Sequence, residues 1–404
     1  MDVTSLAADL DASPTQHHLV ASWRDRLLDA GCAEGLGSPR GLLVRGGALI
    51  AWTGMDRIAS DGVRIIGAHS DSPGFVLKPL PDQHAFGASQ LGLEVYGSPL
   101  LNSWLDRDLR IAGRAVFADG STATFDSGEP VARISQLAIH LDREVNDRGL
   151  VLDRQRHLVA TWSTGDPAPD FRSWLSVALG SRQVAAWEAR LVDHQPARLL
   201  GLDHSMLASG RLDNQVSCWA ALHAIGSAER PSVVAIFDHE EVGSASPTGA
   251  AGPLLELVLE ACAENAGLDR SGYASMLARS HCLSADNAHA VHPAHAERHD
   301  PDHAPRINGG VAVKVNANQR YATDAESVLP FLEACEAARA PYQWFSSRNT
   351  QPCGSTIGPI AATRLGIGTV DVGVPQWSMH SAREVCGADD AAALARILRA
   401  YLGR

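Results

Sequence analysis

The sequence predicts an α/β fold: a mixed central sheet flanked by helices, interrupted by a β-rich segment. Three observations carry this. Short apolar runs that end in ionisable residues recur towards both ends of the chain, as in VRIIGAHSDS (63–72) and SVVAIFDHEE (232–241). Helix-patterned stretches separate such runs, one starting at Asp213-Asn214 and passing through Trp219 and Leu222. Between them the rhythm changes, because LGLEVYG, LRIAGRAVFA and TATFD are short alternating segments broken by Gly and Asp. The expected division is one discontinuous domain, 1–78 and 201–404, with 79–200 inserted into it. A chain of 404 residues exceeds what one core usually supports, so two domains are the natural expectation.

Taken in order, Ser13-Pro14 reads as the opening of a helix carrying Leu19, Trp23 and Leu27 at helical spacing and stopping at Gly31. Residues 41–45 and 48–52 flank Gly46-Gly47 as a hairpin. The run 63–68 is a strand ending in His69-Ser70-Asp71. Within the insertion, 162–169 reads as a polar loop and 183–191 as a helix. The βα rhythm resumes at Arg211. Strands are expected at 233–237, 281–285, 311–315 and 368–372, and helices at 252–267, 324–338 and 389–402. Residues 351–359 (QPCGSTIGP) read as a loop able to offer backbone amides, and Cys353 within it as structural. His292, His295, His299 and His303 read as a solvated loop.

Hydrophobic residues make up 45% and charged residues 20% of the chain, ordinary for a globular enzyme. A net charge of −12 argues against nucleic acid or an anionic membrane as partner. The seven cysteines form no CxxC pair, a reducing-compartment pattern. No run of about 18 apolar residues offers a membrane span, and the first residues carry no signal-like apolar core. A cytoplasmic protein is the expectation.

The recurring event is a strand end that bears a metal-ligand type: His69, Glu241, Asp286 and His380, with Asp213 at a helix start. In open α/β sheets such ends converge on one crevice. Singly, each is better explained as a turn or cap residue, and an isolated pair like Glu240-Glu241 as a solvated acidic loop. Jointly they suit two Zn²⁺ ions, whose charge Asp213, Glu241, Asp286 and one hydroxide would balance; Mn²⁺ or Co²⁺ also suit these ligands. Two ions roughly 3.5–4 Å apart acidify a bound water and polarise a carbonyl. On an extended chain Glu240 would point away from Glu241 and stay free as the base. Asp71, two residues after His69, would orient its imidazole.

The segments GAHSDSPGF, LEVYGSPLLNSWLDRDLRIAGR, RLDNQVSCWAAL, FDHEEVGS, SADNAHAVHP, VKVNANQRYATD and PQWSMHSARE, in this order, closely resemble the aspartyl aminopeptidase family of metallo-aminopeptidases. The resemblance covers nearly the whole chain. It implies a dizinc aminopeptidase catalytic domain interrupted by a β-rich dimerisation domain. It implies His69, Asp213 and Asp286 on one zinc, Asp213, Glu241 and His380 on the other, and Glu240 as general base. It also implies that substrates are peptides with an acidic N-terminus. Lys314 would be the pocket cation for the acidic side chain (the bland alternative is a lysine on a surface edge strand), while His289 and Tyr321 would contact substrate. His140 would reach a neighbouring subunit's site in a homo-oligomer, with dodecamers built from dimers as the family's form. The chain is short for the family and its loop near 162–174 looks trimmed. The rival readings are a broad or neutral aminopeptidase, a dizinc deacylase, and a catalytically silent assembly protein, against which the intact Glu240 speaks.

Overall fold

The computed structural model describes residues 2–166 and 169–403. Its largest layer is a nine-stranded mixed sheet in the order Ala33–Glu34, Gly41–Arg45, Ala48–Thr53, Ser232–Phe237, Arg64–His69, His281–Ala285, Gly368–Gly373, Val311–Val315 and Tyr342–Ser346. The four strands from Ser232–Phe237 to Gly368–Gly373 run parallel. Their side chains alternate between two cores, as extended backbone requires. Val234, Ile236, Ile66 and Val370 enter one; Val233, Phe237, Ile65 and Cys282 enter the other. Helices Gln16–Asp29, Leu212–Ile225, Leu329–Ala338 and Ala388–Leu402 cover the first face, and Leu254–Asn265, Arg270–Arg279 and Ile357–Leu365 the second. Covered on both faces, these strands read as continuous apolar runs.

Register decides where the chemistry collects. Phe237 lies beside His69, and Ala285 beside Val372. The carboxyl ends of the parallel strands are therefore level, and the residues that follow them emerge on one edge. A five-stranded sheet adjoins that edge in the order Arg198–Leu200, Met206–Ser209, Glu384–Gly387, Pro375–Trp377 and Ala288–His289. A separate six-stranded antiparallel sheet runs Thr122–Asp126, Leu109–Phe117, Val184–Asp193, Gly74–Ala85, Ala88–Tyr96 and Val159–Ser163. It carries its own core of Phe75, Leu91, Trp104, Ile111, Phe171 and Leu191.

Several local expectations need correction. Of the residues 183–191 expected as a helix, all from 184 on form part of the strand Val184–Asp193. Its Ala, Glu and Arg content suits a helix in isolation, but antiparallel pairing along Leu109–Phe117 overrides propensity. The helix expected from Ser13-Pro14 begins at Gln16, because Ser13 instead ends an earlier helix, Val3–Ala12, donating its N–H to the Leu10 carbonyl. The helix expected over 324–338 begins at Leu329. Ahead of it the Asp324 carboxylate accepts the N–H groups of Glu326 and Ser327 at 2.9 and 2.7 Å, which folds 324–328 into a turn. In the expected loop 162–169, Trp162 and Ser163 close the strand Val159–Ser163, and Pro167 and Ala168 lie outside the described residues. The stretch 351–359 is irregular only as far as Thr356, whose hydroxyl caps the helix Ile357–Leu365.

Candidate metal centre and active site

His69 ends its strand fully buried, with Nδ1 3.0 Å from the Asp71 carbonyl oxygen and 3.4 Å from Asp71 Oδ1. These acceptors hold a proton on Nδ1, which makes Nε2 the nitrogen that a metal would use. That nitrogen faces Asp213 Oδ1 at 3.4 Å and Asp286 Oδ1 at 3.6 Å. Across the cleft His380 Nε2 lies 3.6 Å from Asp213 Oδ2 and 3.3 Å from Glu241 Oε1. Its Nδ1 lies 3.1 Å from the Ser98 carbonyl oxygen, which fixes the ring in the same sense.

Three groups of possible ligands result among the described residues, His69/Asp213/Asp286, Asp213/Glu241/His380 and His69/Glu240/Glu241, and the first two share a carboxylate. Within each the ligand atoms lie within 4.8 Å of one another, and Asp213 is the shared carboxylate. Its Oδ1 is buried and makes no hydrogen bond. An orphaned carboxylate oxygen in a buried site is costly, and a cation facing two imidazoles and three carboxylates removes that cost. The donor set therefore fits zinc.

The Glu240-Glu241 pair departs from expectation. The backbone is not extended there; His239 is left-handed (φ 63) and Glu240–Val242 forms a 3₁₀ turn. Asp71 imposes the turn, its Oδ1 and Oδ2 accepting the N–H groups of Glu240 and Glu241, each at 3.1 Å. Both glutamates consequently face the cleft rather than opposite sides, and oxygens of both come within 4.8 Å of each other and of a ring nitrogen of His69. Asp71 thus orients His69 and shapes the glutamate turn together. A further hydrogen bond from the Tyr96 hydroxyl reaches Asp71 Oδ2 at 2.8 Å.

Electrostatics reflect this crowd of acids. Burial, opposed by His69 but reinforced by Asp286, Glu241 and Asp213, pushes Glu240 up to about 8. Burial likewise raises Glu241 to about 7. Burial opposes charging of His380 and His69, yet the carboxylates crowded against each ring outweigh it. His380 is raised to about 11 and His69 well above its ordinary value.

The cleft, about 150 Å³ in volume, is lined among others by the five ligand candidates, Glu240, His289, Lys314, Tyr321 and Thr356. Lys314 is no surface lysine, being 1% exposed. Its Nζ donates to the Asn287 carbonyl at 3.1 Å, lies 3.5 Å from Asp286 Oδ2 and sits 5.2 Å from the centre of the Tyr321 ring. His140 is exposed and not among the residues lining this cleft. In the His-rich stretch, His292, His295 and His303 are exposed and His299 half-buried, and none joins a metal-ligand group among the described residues. Sequence reasoning missed Tyr96, Asn287, Gln376 and Glu384, all polar residues whose hydrogen bonds tie ligand-bearing segments together. All four stand inside quoted motifs, but nothing in one sequence says which atoms they touch.

The sequence model of the aminopeptidase I zinc metalloprotease family (M18) matches residues 10–402. A probable M18 family aminopeptidase 2 of Streptomyces coelicolor is 47% identical, over 97% of this chain and 95% of its own. The protein of the same description from Mycobacterium leprae is 41% identical over 98% of each chain. Among solved structures, a chain of the Ape4 and Nbr1 complex superposes with a TM-score of 0.92 at 31% identity, covering 99% of this chain and 85% of that one. A subunit of the S. cerevisiae mApe1 dodecamer superposes with a TM-score of 0.85 at 25% identity, covering 99% and 95%.

Proposed function

We propose, from the premise that this chain belongs to the M18 family of zinc aminopeptidases, that its cleft holds two zinc ions and releases N-terminal residues, preferentially Asp or Glu, from peptides. Zinc-dependent aminopeptidase activity is what family membership gives; the count of ions, the residue roles and the specificity are our reading. One observation carries it: Asp213 presents one oxygen to His69 and the other to His380, so a single carboxylate can bridge two ligand groups.

When bound, the zinc ions supply the Lewis acidity that activates water and polarises the scissile carbonyl. His69, Asp213 and Asp286 hold one, and Asp213, Glu241 and His380 the other. Glu240 takes a proton from the attacking water and returns it to the departing amine. Asp71 keeps the His69 ring oriented and the Glu240 backbone in place. Tyr321 is set to donate to the developing oxyanion, and His289 to contact the substrate. Lys314 would meet an acidic side chain at the floor of the cleft, where leaving a carboxylate unpaired is costly.

We extend the reading to assembly. The dodecameric relative supports a homo-oligomer; that it is built from dimers, with 79–200 as the dimerisation domain and His140 supplied to a neighbouring subunit's cleft, is our extension of that reading. Seven free thiols support a cytoplasmic setting, and among the described residues no helix is long and apolar enough to cross a membrane.

The test is hydrolysis of Asp-, Glu-, Leu- and Ala-anilides by metal-stripped protein, with and without Zn²⁺, Mn²⁺ or Co²⁺, beside Glu240→Gln and Lys314→Leu. Expected are metal-dependent cleavage favouring Asp or Glu, a loss of at least about a hundredfold in Glu240→Gln with metal retained, and loss of acidic preference in Lys314→Leu. A second reading, neutral specificity, is favoured by the ion pair that Lys314 already makes with Asp286. Metal-dependent cleavage favouring Leu would select it.

A further inference from the structure

The ligands Asp213 and His380 stand on backbone that no regular element holds. Asp213 has non-helical torsions (φ −84, ψ 105) at a helix start, and His380 is left-handed at φ 67, a region that disfavours side chains like His. One carboxylate fastens both. Glu384, 1% exposed, accepts the Asp213 N–H on Oε2 at 3.0 Å and the His380 N–H on Oε1 at 2.7 Å. Oε1 also faces Gln376 Nε2 at 3.4 Å; Gln376 Oε1 accepts from Asn287 Nδ2 at 2.9 Å, and the same Nδ2 donates to the Leu212 carbonyl at 2.9 Å. Asn287 follows Asp286 directly. The line Glu384–Gln376–Asn287 therefore joins the three segments that bring Asp213, His380 and Asp286 to the cleft. Glu384 itself begins the strand Glu384–Gly387, with Ser209 opposite it on the neighbouring strand, so its own position is fixed by a sheet.

We propose that Glu384 is a positioning residue for the metal centre: through one buried carboxylate it sets the separation of Asp213 and His380, and through Gln376 and Asn287 it ties Asp286 to both. The inference rests on the metal-centre reading above. A carboxylate is suited because each oxygen accepts from a different backbone N–H. An amide offers one acceptor and confronts the other N–H with a second donor. Burying a carboxyl group for two backbone bonds alone would be a poor structural choice, whereas holding ligands at a fixed spacing is what an outer carboxylate does for a metal site.

The test compares zinc affinity, by competition with a chromogenic chelator, in full-length wild type, Glu384→Gln and Gln376→Leu. Melting midpoints of the zinc-free forms and kcat and KM on an anilide substrate are read alongside. Glu384→Gln is expected to bind zinc about 10–100-fold more weakly, to lose kcat with KM little changed, and to match the zinc-free midpoint of wild type. Gln376→Leu keeps both backbone bonds and should weaken zinc by a smaller factor; it carries the test if Glu384→Gln fails to fold. Unchanged zinc affinity in the folded variants would overturn the proposal, as would a drop in the zinc-free midpoint with affinity intact. Failure of wild type to bind zinc would instead sink the metal-centre reading itself.

Discussion

In the metal-free cleft, His69 and His380 are the counter-charges to Asp71, Asp213, Glu241 and Asp286. Both imidazoles hold a proton well beyond the ordinary histidine range despite burial. On the proposed ligand set that proton must leave Nε2, so zinc would have to displace it. At pH values below the raised pKa values each zinc bound as proposed would expel a proton from its histidine, and affinity would rise with pH until those values are passed. Glu240 and Glu241, pushed up to about 8 and about 7, add to the release near neutrality. Zinc titration by calorimetry in two buffers of different ionisation heat should therefore show release of about two protons or more for full loading. Release near zero would mean that the histidines are not the ligands. At this scale the sequence was informative about identity and poor about direction. That His69, Asp213, Glu241, Asp286 and His380 would meet at one cleft was legible, because each follows a buried strand or opens a helix. That Glu240 and Glu241 face the same cleft was not, because the 3₁₀ turn depends on Asp71, about 170 residues earlier in the chain.

Among whole elements, His281 shows how a buried titratable group can pin several together. It begins the strand His281–Ala285, with Nε2 donating to the Ser327 carbonyl at 2.7 Å and Nδ1 2.8 Å from the hydroxyl of Tyr401 on the C-terminal helix. Burial lowers its pKa to about 4. A histidine that refuses a proton in the folded state costs nothing above the unfolded value near 6.5. Below it the unfolded chain takes up the proton and the folded chain does not, so stability is lost as pH falls from about 6.5 to about 4, by on the order of 3 kcal/mol in full. His281→Gln can still donate to Ser327 and cannot titrate. Its melting midpoint should fall less steeply than that of wild type over this window, and equal slopes would show that His281 does not contribute. Element types were mostly legible where burial is one-sided or complete, as in VVAIF and the Gly46-Gly47 hairpin. They failed where a partner decides. Residues 184–191 became a strand only because Leu109–Phe117 lies alongside, and Val3–Ala12 became a helix because Leu6 and Leu10 found a core.

For the molecule as a whole, the question is whether the six-stranded sheet is merely attached or takes part in the chemistry. Its first strand, Gly74–Ala85, begins three residues after Asp71, and the adjoining strand Ala88–Tyr96 ends on Tyr96. The Tyr96 hydroxyl donates to Asp71, and Arg190 of the strand Val184–Asp193 stacks its guanidinium 4.0 Å from the Tyr96 ring centre while donating to the Ser72 carbonyl. A path of direct contacts thus runs from the inserted sheet through Tyr96 to Asp71, and from there to His69 and the glutamate turn. No single stretch of sequence displays it, because the contacts join segments whose pairing only the folded sheet reveals. Tyr96→Phe removes one hydrogen bond to a buried carboxylate and leaves the ring and its cation partner in place. A bond of that kind contributes about 1.5–3 kcal/mol. If Asp71 passes that loss to His69 and Glu240, kcat falls by roughly one to two orders of magnitude, zinc binds more weakly, and KM on the anilide stays close to wild type. If instead kcat and zinc affinity are unchanged, Asp71 is held well enough by the Glu240 and Glu241 amides alone, and the inserted sheet contributes nothing to the chemistry through Tyr96.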